Sequence, residues 1–216
     1  MEKKAVLEKI KSIRKNSKER KFAQTFDLIV NLQNLDLRKP EHKIDVGVAL
    51  ASSVKAKPLK ILAIVDQGIP EASKVFDKVL YNDELVALKG NMKKIRQISQ
   101  EFDKFVVQLN YMPVFAQIMG RYLGPLNKMP SPKLGMVINP KTPIKELYEK
   151  LQKTAHLQTK KNLVIQVSIG SEKESDDVIA ENVVHVYEVL LHALPNHKNN
   201  VKNVGLKLTM GKLEVL

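Results

Sequence analysis

The apolar residues change rhythm twice along this chain, and no single regular layer can satisfy both rhythms. Phe26, Leu28, Val30 and Leu32 alternate with Asp27, Ile29 and Asn31, the period of a half-buried strand. Ile44, Val46 and Val48 repeat it beyond a turn region that contains Pro40, so the two segments are expected to pair as a long-looped hairpin. Ahead of them, Val6, Ile10 and Ile13 fall at helical spacing over 2–16. Ala51–Pro58, poor in large apolar residues and closed by proline, reads as a connector.

After it the pattern becomes continuous. Lys60–Asp66 holds the run Ile-Leu-Ala-Ile-Val, as in a strand covered on both faces. A helix is expected from Pro70, with further apolar runs near Val79 and at Phe105–Leu109. Helices are expected at 91–101, 112–122 and 143–154, with a proline-rich loop over Gly124–Gly135. Such strand–helix alternation calls for a parallel sheet between helical layers. From 156 the two-residue period returns at Leu163, Ile165, Val167 and Ile169, and again at Val204, Leu206 and Leu208. A helix over 176–194 separates these segments, and Gly211 precedes a last short strand.

Neither end segment can bury its sheet alone. The expected fold class is therefore α/β and α+β in two domains. Residues 1–58 and 156–216 form an α+β domain of split β-α-β type, and 59–155 form an inserted three-layer, Rossmann-like α/β domain. Two connections at one hinge would let the domains move against each other.

Charge narrows the partner. Thirty-six Lys and Arg against 23 Asp and Glu leave +13, which makes a polyanion the leading partner class. The three segments carry +7, +6 and zero, so the last third offers no net attraction. The absence of cysteine excludes disulfides, thiolate metal sites and cysteine nucleophiles. No apolar run reaches the roughly 18 residues of a membrane span, and the N-terminus has no secretory h-region. The basic N-terminal helix has no Trp or Phe to seat it in a bilayer surface. A cytoplasmic protein is expected, with no membrane partner.

No catalytic signature emerges. His185 and His192, seven apart on one expected helix, read as surface or packing histidines rather than zinc ligands, so no metal is expected. Asp176-Asp177 sits where N-capping and the helix dipole explain it. Gly120-Arg-Tyr-Leu-Gly124 matches no dinucleotide or phosphate loop, and no Gly-x-Ser-x-Gly elbow occurs. No cofactor is expected. The alternative is an enzyme of nucleotide or nucleic-acid processing with its site in the middle domain. Asp66, at the end of a buried-type strand, is where open α/β sheets bind ligands.

Two segments carry more information. Met119–Lys133 stiffens a loop with prolines and presents Arg121, Lys128 and Lys133. Leu208-Thr-Met-Gly-Lys212 interrupts a strand with a hydroxyl, which can donate to and accept from a ribose 2′-hydroxyl, and with a glycine, which permits close backbone approach. These motifs occur in order with Lys21-Phe22-Ala-Gln-Thr25, Asp36-Leu-Arg-Lys-Pro40, Leu123-Gly-Pro125, Met129-Pro130, Pro132-Lys133, Ile165-Gln166, Ile169-Gly170 and Ala180-Glu-Asn182. Together they resemble, essentially end to end, the L-one family of large-ribosomal-subunit proteins in its archaeal form.

The resemblance implies a two-domain protein, the second domain inserted in the first, that binds large-subunit rRNA at the mobile stalk. It implies assistance in releasing exit-site tRNA, and repression of translation through the protein's own mRNA. It also implies a monomer when free of the ribosome. On matching positions it assigns RNA binding to Lys21, Phe22, Thr25, Gln166, Ser168, Gly170, Thr209, Met210 and Gly211. Secondary contacts fall to Arg121, Lys128 and Lys133. Leu126-Asn127 stands where the family commonly has Arg-Gly, and Lys212 where it usually has Pro.

Overall fold

The structure, a computed structural model, describes all residues except 1, 40, 41, 56, 67–71, 140, 141, 160 and 161. It is a mixed α/β protein. The chain falls into two compact units, Met1–Pro58 with Lys153–Leu216, and Leu59–Gln152.

The first unit opens with α1 (Lys3–Asn16), a highly charged helix whose Val6, Ile10 and Ile13 are buried. Burying three such side chains is worth about 1.5–3 kcal/mol each, so packing rather than propensity holds this helix in place. Next come β1 (Thr25–Leu32) and β2 (Asp45–Ala49). Burial along β1 alternates without a break, with Phe26, Leu28, Val30 and Leu32 inward.

The second unit contains β3 (Ile61–Ile64), α2 (Ala72–Val75), β4 (Lys78–Leu80), α3 (Asn82–Ala87) and α4 (Met92–Glu101). It continues with β5 (Lys104–Gln108), α5 (Met112–Leu126), β6 (Val137–Ile138) and α6 (Ile144–Lys153). Its sheet has the order β4-β3-β5-β6 with every pairing parallel. All of β3 is buried. Leu62 and Ile64 join one core with α3, α4 and α5, whereas Ile61 and Ala63 join another with α2 and α6. That is the doubly covered sheet the continuous run calls for.

The chain then returns through β7 (Thr154–Gln158), β8 (Val164–Ser171), α7 (Asp176–Ala193), β9 (Val201–Leu208) and β10 (Glu214–Val215). These complete an antiparallel sheet of order β10-β9-β1-β8. Ile179, Val183, Val186 and Leu190 of α7 share one core with α1 and the inward side chains of this sheet.

Several expectations are corrected. β1 and β2 form no hairpin: β8 and β9 take both edges of β1, and β2 pairs with β7 instead. β7 was not expected. Because it starts at Thr154, the crossing between units falls at 152/153 rather than 155/156. Helix α5 runs past Gly124 and Pro125 to Leu126, where Asn127 closes it with φ 53°. The Asn127 and Lys128 amides donate to the Gly124 and Leu123 carbonyls, so the left-handed residue satisfies the helix end. α3 and β6 were also not expected. The helix start set at Pro70 lies outside the described residues, and α2 is described from Ala72.

Candidate nucleic-acid interface

Because both helices of the first unit pack on the Phe26 side of its sheet, the opposite face of the same strands is left uncovered by them. Register decides what stands there. Asp27 of β1 lies between Ser168 of β8 and Lys207 of β9, Ile29 between Gln166 and Gly205, and Asn31 between Val164 and Asn203. Ser168 Oγ donates to Asp27 Oδ1 at 2.8 Å. The face is thus a polar surface built on rigid strands, with side chains two residues apart.

Its end is shaped by the N- and C-terminal segments of the chain. The Thr25 amide donates to Thr209 Oγ1 at 3.1 Å, the two hydroxyls are 2.9 Å apart, and the Thr209 amide donates to the Thr25 carbonyl at 3.0 Å. Beside them the Met210 amide donates to Gln24 Oε1, and Gln24 is buried. The Gly211 amide closes the turn on the Leu208 carbonyl. Two residues before Gln24, Phe22 is 51% exposed, and Met210 is 61% exposed. Two large apolar side chains held in solvent next to hydroxyls suit contact with sugars and bases better than folding stability does.

This edge is braced from the covered face. Arg14 of α1 donates from Nε to Asp176 Oδ1 at 2.7 Å. Its other nitrogens donate to the Glu172 and Glu174 carbonyls at 2.6 and 2.7 Å. Its guanidinium also lies 5.3 Å from the Phe26 ring centroid. The β8–α7 loop is thereby tied to the N-terminal helix. Asp176 therefore serves the Arg14 pair, and the N-cap position belongs to Ser175, which makes no side-chain cap bond. A second brace is Asn182, buried on α7, which donates to the Ile169 carbonyl and Ser52 Oγ and accepts from the Ala51 amide.

The structure brings together Thr25, Thr209, Met210 and Gly211 at one end of the open face, with Phe22 leading into it. Gln166 and Ser168 lie along that face, and Lys21 is exposed just before it. Gly170 is placed differently. It pairs with Phe26 on the covered side and is buried, and a Cβ there would lie 2.6 Å from Glu174 Oε2. It makes room for a carboxylate that accepts from Ser52 Oγ at 2.6 Å, so its requirement is internal packing. In the second unit Arg121 and Lys133 are exposed, but Lys128 is half-buried and its ammonium donates to the Ser99 and Phe102 carbonyls at the end of α4. That geometry is a helix C-terminal cap.

Among the polar residues of the face, Asp27, Asn31, Asn203 and Lys207 were not singled out from sequence. The alternation along β1 already put the first two opposite the core side. The alternation of Val204, Leu206 and Leu208 does the same for Lys207, but nothing set that lysine apart from the many others. At the end of β3 the Asp66 amide donates to Gln108 Oε1, and Gln108 is buried. Among the described residues no three metal-capable side chains cluster, and no described helix is long and apolar enough to cross a membrane.

Residues 13–212 match the ribosomal protein L1p/L10e family. A large ribosomal subunit protein uL1 of Thermococcus kodakarensis is 36% identical over 208 residues, covering 95% of this chain and 94% of that protein. The protein of that name from Nanoarchaeum equitans is 37% identical over 202 residues, 91% and 92% of the two chains. The one from Methanocaldococcus jannaschii is 33% identical over 213 residues, 98% and 94%.

Proposed function

The chain belongs to the ribosomal protein L1p/L10e family, and from that membership we propose how it acts in the large ribosomal subunit. It is a ribosomal protein of that subunit and not an enzyme. It binds large-subunit rRNA at the mobile stalk through the open face of the first unit. The observation that carries this reading is the Thr25–Thr209 pair, two hydroxyls fixed 2.9 Å apart at the exposed edge of a braced sheet. The Thr209 hydroxyl donates to the Thr25 carbonyl and accepts from the Thr25 amide, which leaves the Thr25 hydroxyl a lone pair for a ribose 2′-hydroxyl, a group that distinguishes RNA from DNA. Lys21 meets phosphate, Phe22 and Met210 make apolar contact with bases or sugars, and Gln166 and Ser168 bond base edges.

Arg121 and Lys133 are the better placed cations of the second unit for secondary contacts with rRNA or exit-site tRNA, since Lys128 is engaged at α4. The protein assists release of that tRNA, and it represses translation by binding its own mRNA where the transcript mimics the rRNA site. Free of the ribosome it is a cytoplasmic monomer. The enzymatic alternative is not favoured, because the family and its relatives are named as ribosomal proteins.

The test is a filter-binding titration of the full chain against the stalk fragment of large-subunit rRNA and a scrambled RNA of equal length. Preference for the stalk fragment should persist as salt is raised, because contacts other than phosphates contribute. Equal affinities with equal salt slopes would overturn the proposal.

A further inference from the structure

A concavity of about 340 Å³ lies in the middle of the open sheet face, lined by Asp27, Ile29, Gln166, Ser168 and Lys207. Its chemistry is unlike the rest of a chain that carries +13. Asp27 places a carboxylate on the surface that meets a polyanion. A phosphate brought close to such a charge is repelled, and more strongly near a protein surface than in bulk water. Among the described residues no ion pair neutralises it: Lys207, its cross-strand neighbour, directs its ammonium toward the Thr209 carbonyl at 3.4 Å. Ser168 Oγ fixes the carboxylate by donating to Oδ1. A fixed carboxylate without an ion pair on a nucleic-acid face suits base N–H donors and repels phosphate.

We propose that this concavity receives one unpaired guanine, read on its Watson–Crick edge by Asp27. The inference rests on RNA being the partner, as proposed above. Guanine alone presents two adjacent donors, N1–H and the N2 amino group, to match the two oxygens of a carboxylate. Its O6 then needs a donor, and the Gln166 amide and the Lys207 ammonium flank the site. Adenine and cytosine each offer one amino group next to an acceptor nitrogen that would face the carboxylate. Uracil offers one imino N–H between two carbonyl oxygens. Ile29 supplies the apolar floor for the base plane. Beyond Ile29, Gly205 leaves room for Leu213, whose Cδ1 would lie 2.7 Å from a Cβ at that position. Asp27, Ile29 and Lys207 thereby become specificity-determining residues of the interface.

The experiment titrates the full chain with GMP, IMP, AMP, CMP and UMP, following its backbone amides by NMR, and repeats the rRNA filter assay with Asp27→Asn. The five nucleotides share one phosphate, so differences among them report the base. GMP should shift the amides around Asp27, Gln166 and Ser168 at least tenfold more tightly than AMP, CMP or UMP. IMP, lacking the N2 amino group, should fall between. Asp27→Asn should abolish the preference and weaken stalk-fragment binding about tenfold with an unchanged salt slope. Equal responses to all five nucleotides, or strongest binding of CMP, would overturn the guanine pocket while rRNA binding stands. Loss of selective rRNA binding by the unaltered chain would instead overturn the function on which the inference rests. The nucleotide titration uses the unaltered chain, so its outcome does not depend on how the variant folds.

Discussion

The two units are built from the same elements and differ in how many faces of their sheets are covered. In the first, β1 is buried at every second residue, and the alternate side chains Asp27, Ile29 and Asn31 stand half-buried on the other face. In the second, β3 is buried throughout and the sheet separates two cores. A strand open on one face can carry recognition groups at fixed spacing on rigid backbone. A strand covered on both faces can carry only core, so whatever that unit touches must be reached by helix surfaces and loops.

The sharpest way to break this comparison is to remove one large side chain from each kind of strand. Phe105→Ala, in the buried Phe105–Gln108 stretch of β5, should cost about 3–5 kcal/mol. Ile29→Ala on the open face should cost about 1 kcal/mol. Hydrogen-exchange protection of β5 and β1 amides measures each locally, and equal losses would show that the open face is structural core. Next comes Arg14→Ala. It removes charge-assisted bonds to two carbonyls and Asp176, and should cost the first unit about 1.5–3 kcal/mol. Protection in β3 and β5 should stay as it was. The smallest effect sharpens the account of the second unit. Lys128→Ala should lower its stability by about 1 kcal/mol through the lost α4 cap and leave the salt slope of rRNA binding alone. Arg121→Ala should lower that slope by about one without affecting stability.

How much of this was legible in the sequence follows from the range of the signals. α1, β1, β8, α7 and β9 each announce themselves through their own periodicity. The continuous run at Lys60–Asp66 likewise announces a doubly covered strand. What could not be read was pairing. Nothing within Ile44–Val48 says that its partner is Thr154–Gln158, far along the chain, and a nearby strand is the natural guess. β7 itself follows α6 without a glycine or proline to mark the change. The candidate site could be picked out at Thr25, Gln166, Ser168 and Thr209, where polar residues break into or alternate with apolar ones. It was not legible at Gly170, because a glycine that admits a nearby carboxylate looks like one that admits a ligand. Nor was it legible at Lys128, because a lysine capping a helix looks like one awaiting a phosphate.

The central claim is that the hydroxyls at the edge of the open face take part in choosing the RNA, while the chain's surplus positive charge adds general affinity. Thr209→Val tests it most directly. The substitution keeps the shape of the side chain and removes the hydroxyl that faces Thr25. Affinity for the stalk fragment, measured across a salt series, should fall by about 1–3 kcal/mol at every concentration, with the slope and the affinity for scrambled RNA unchanged. Unchanged affinity for the stalk fragment, or a loss shared equally with scrambled RNA, would contradict the account.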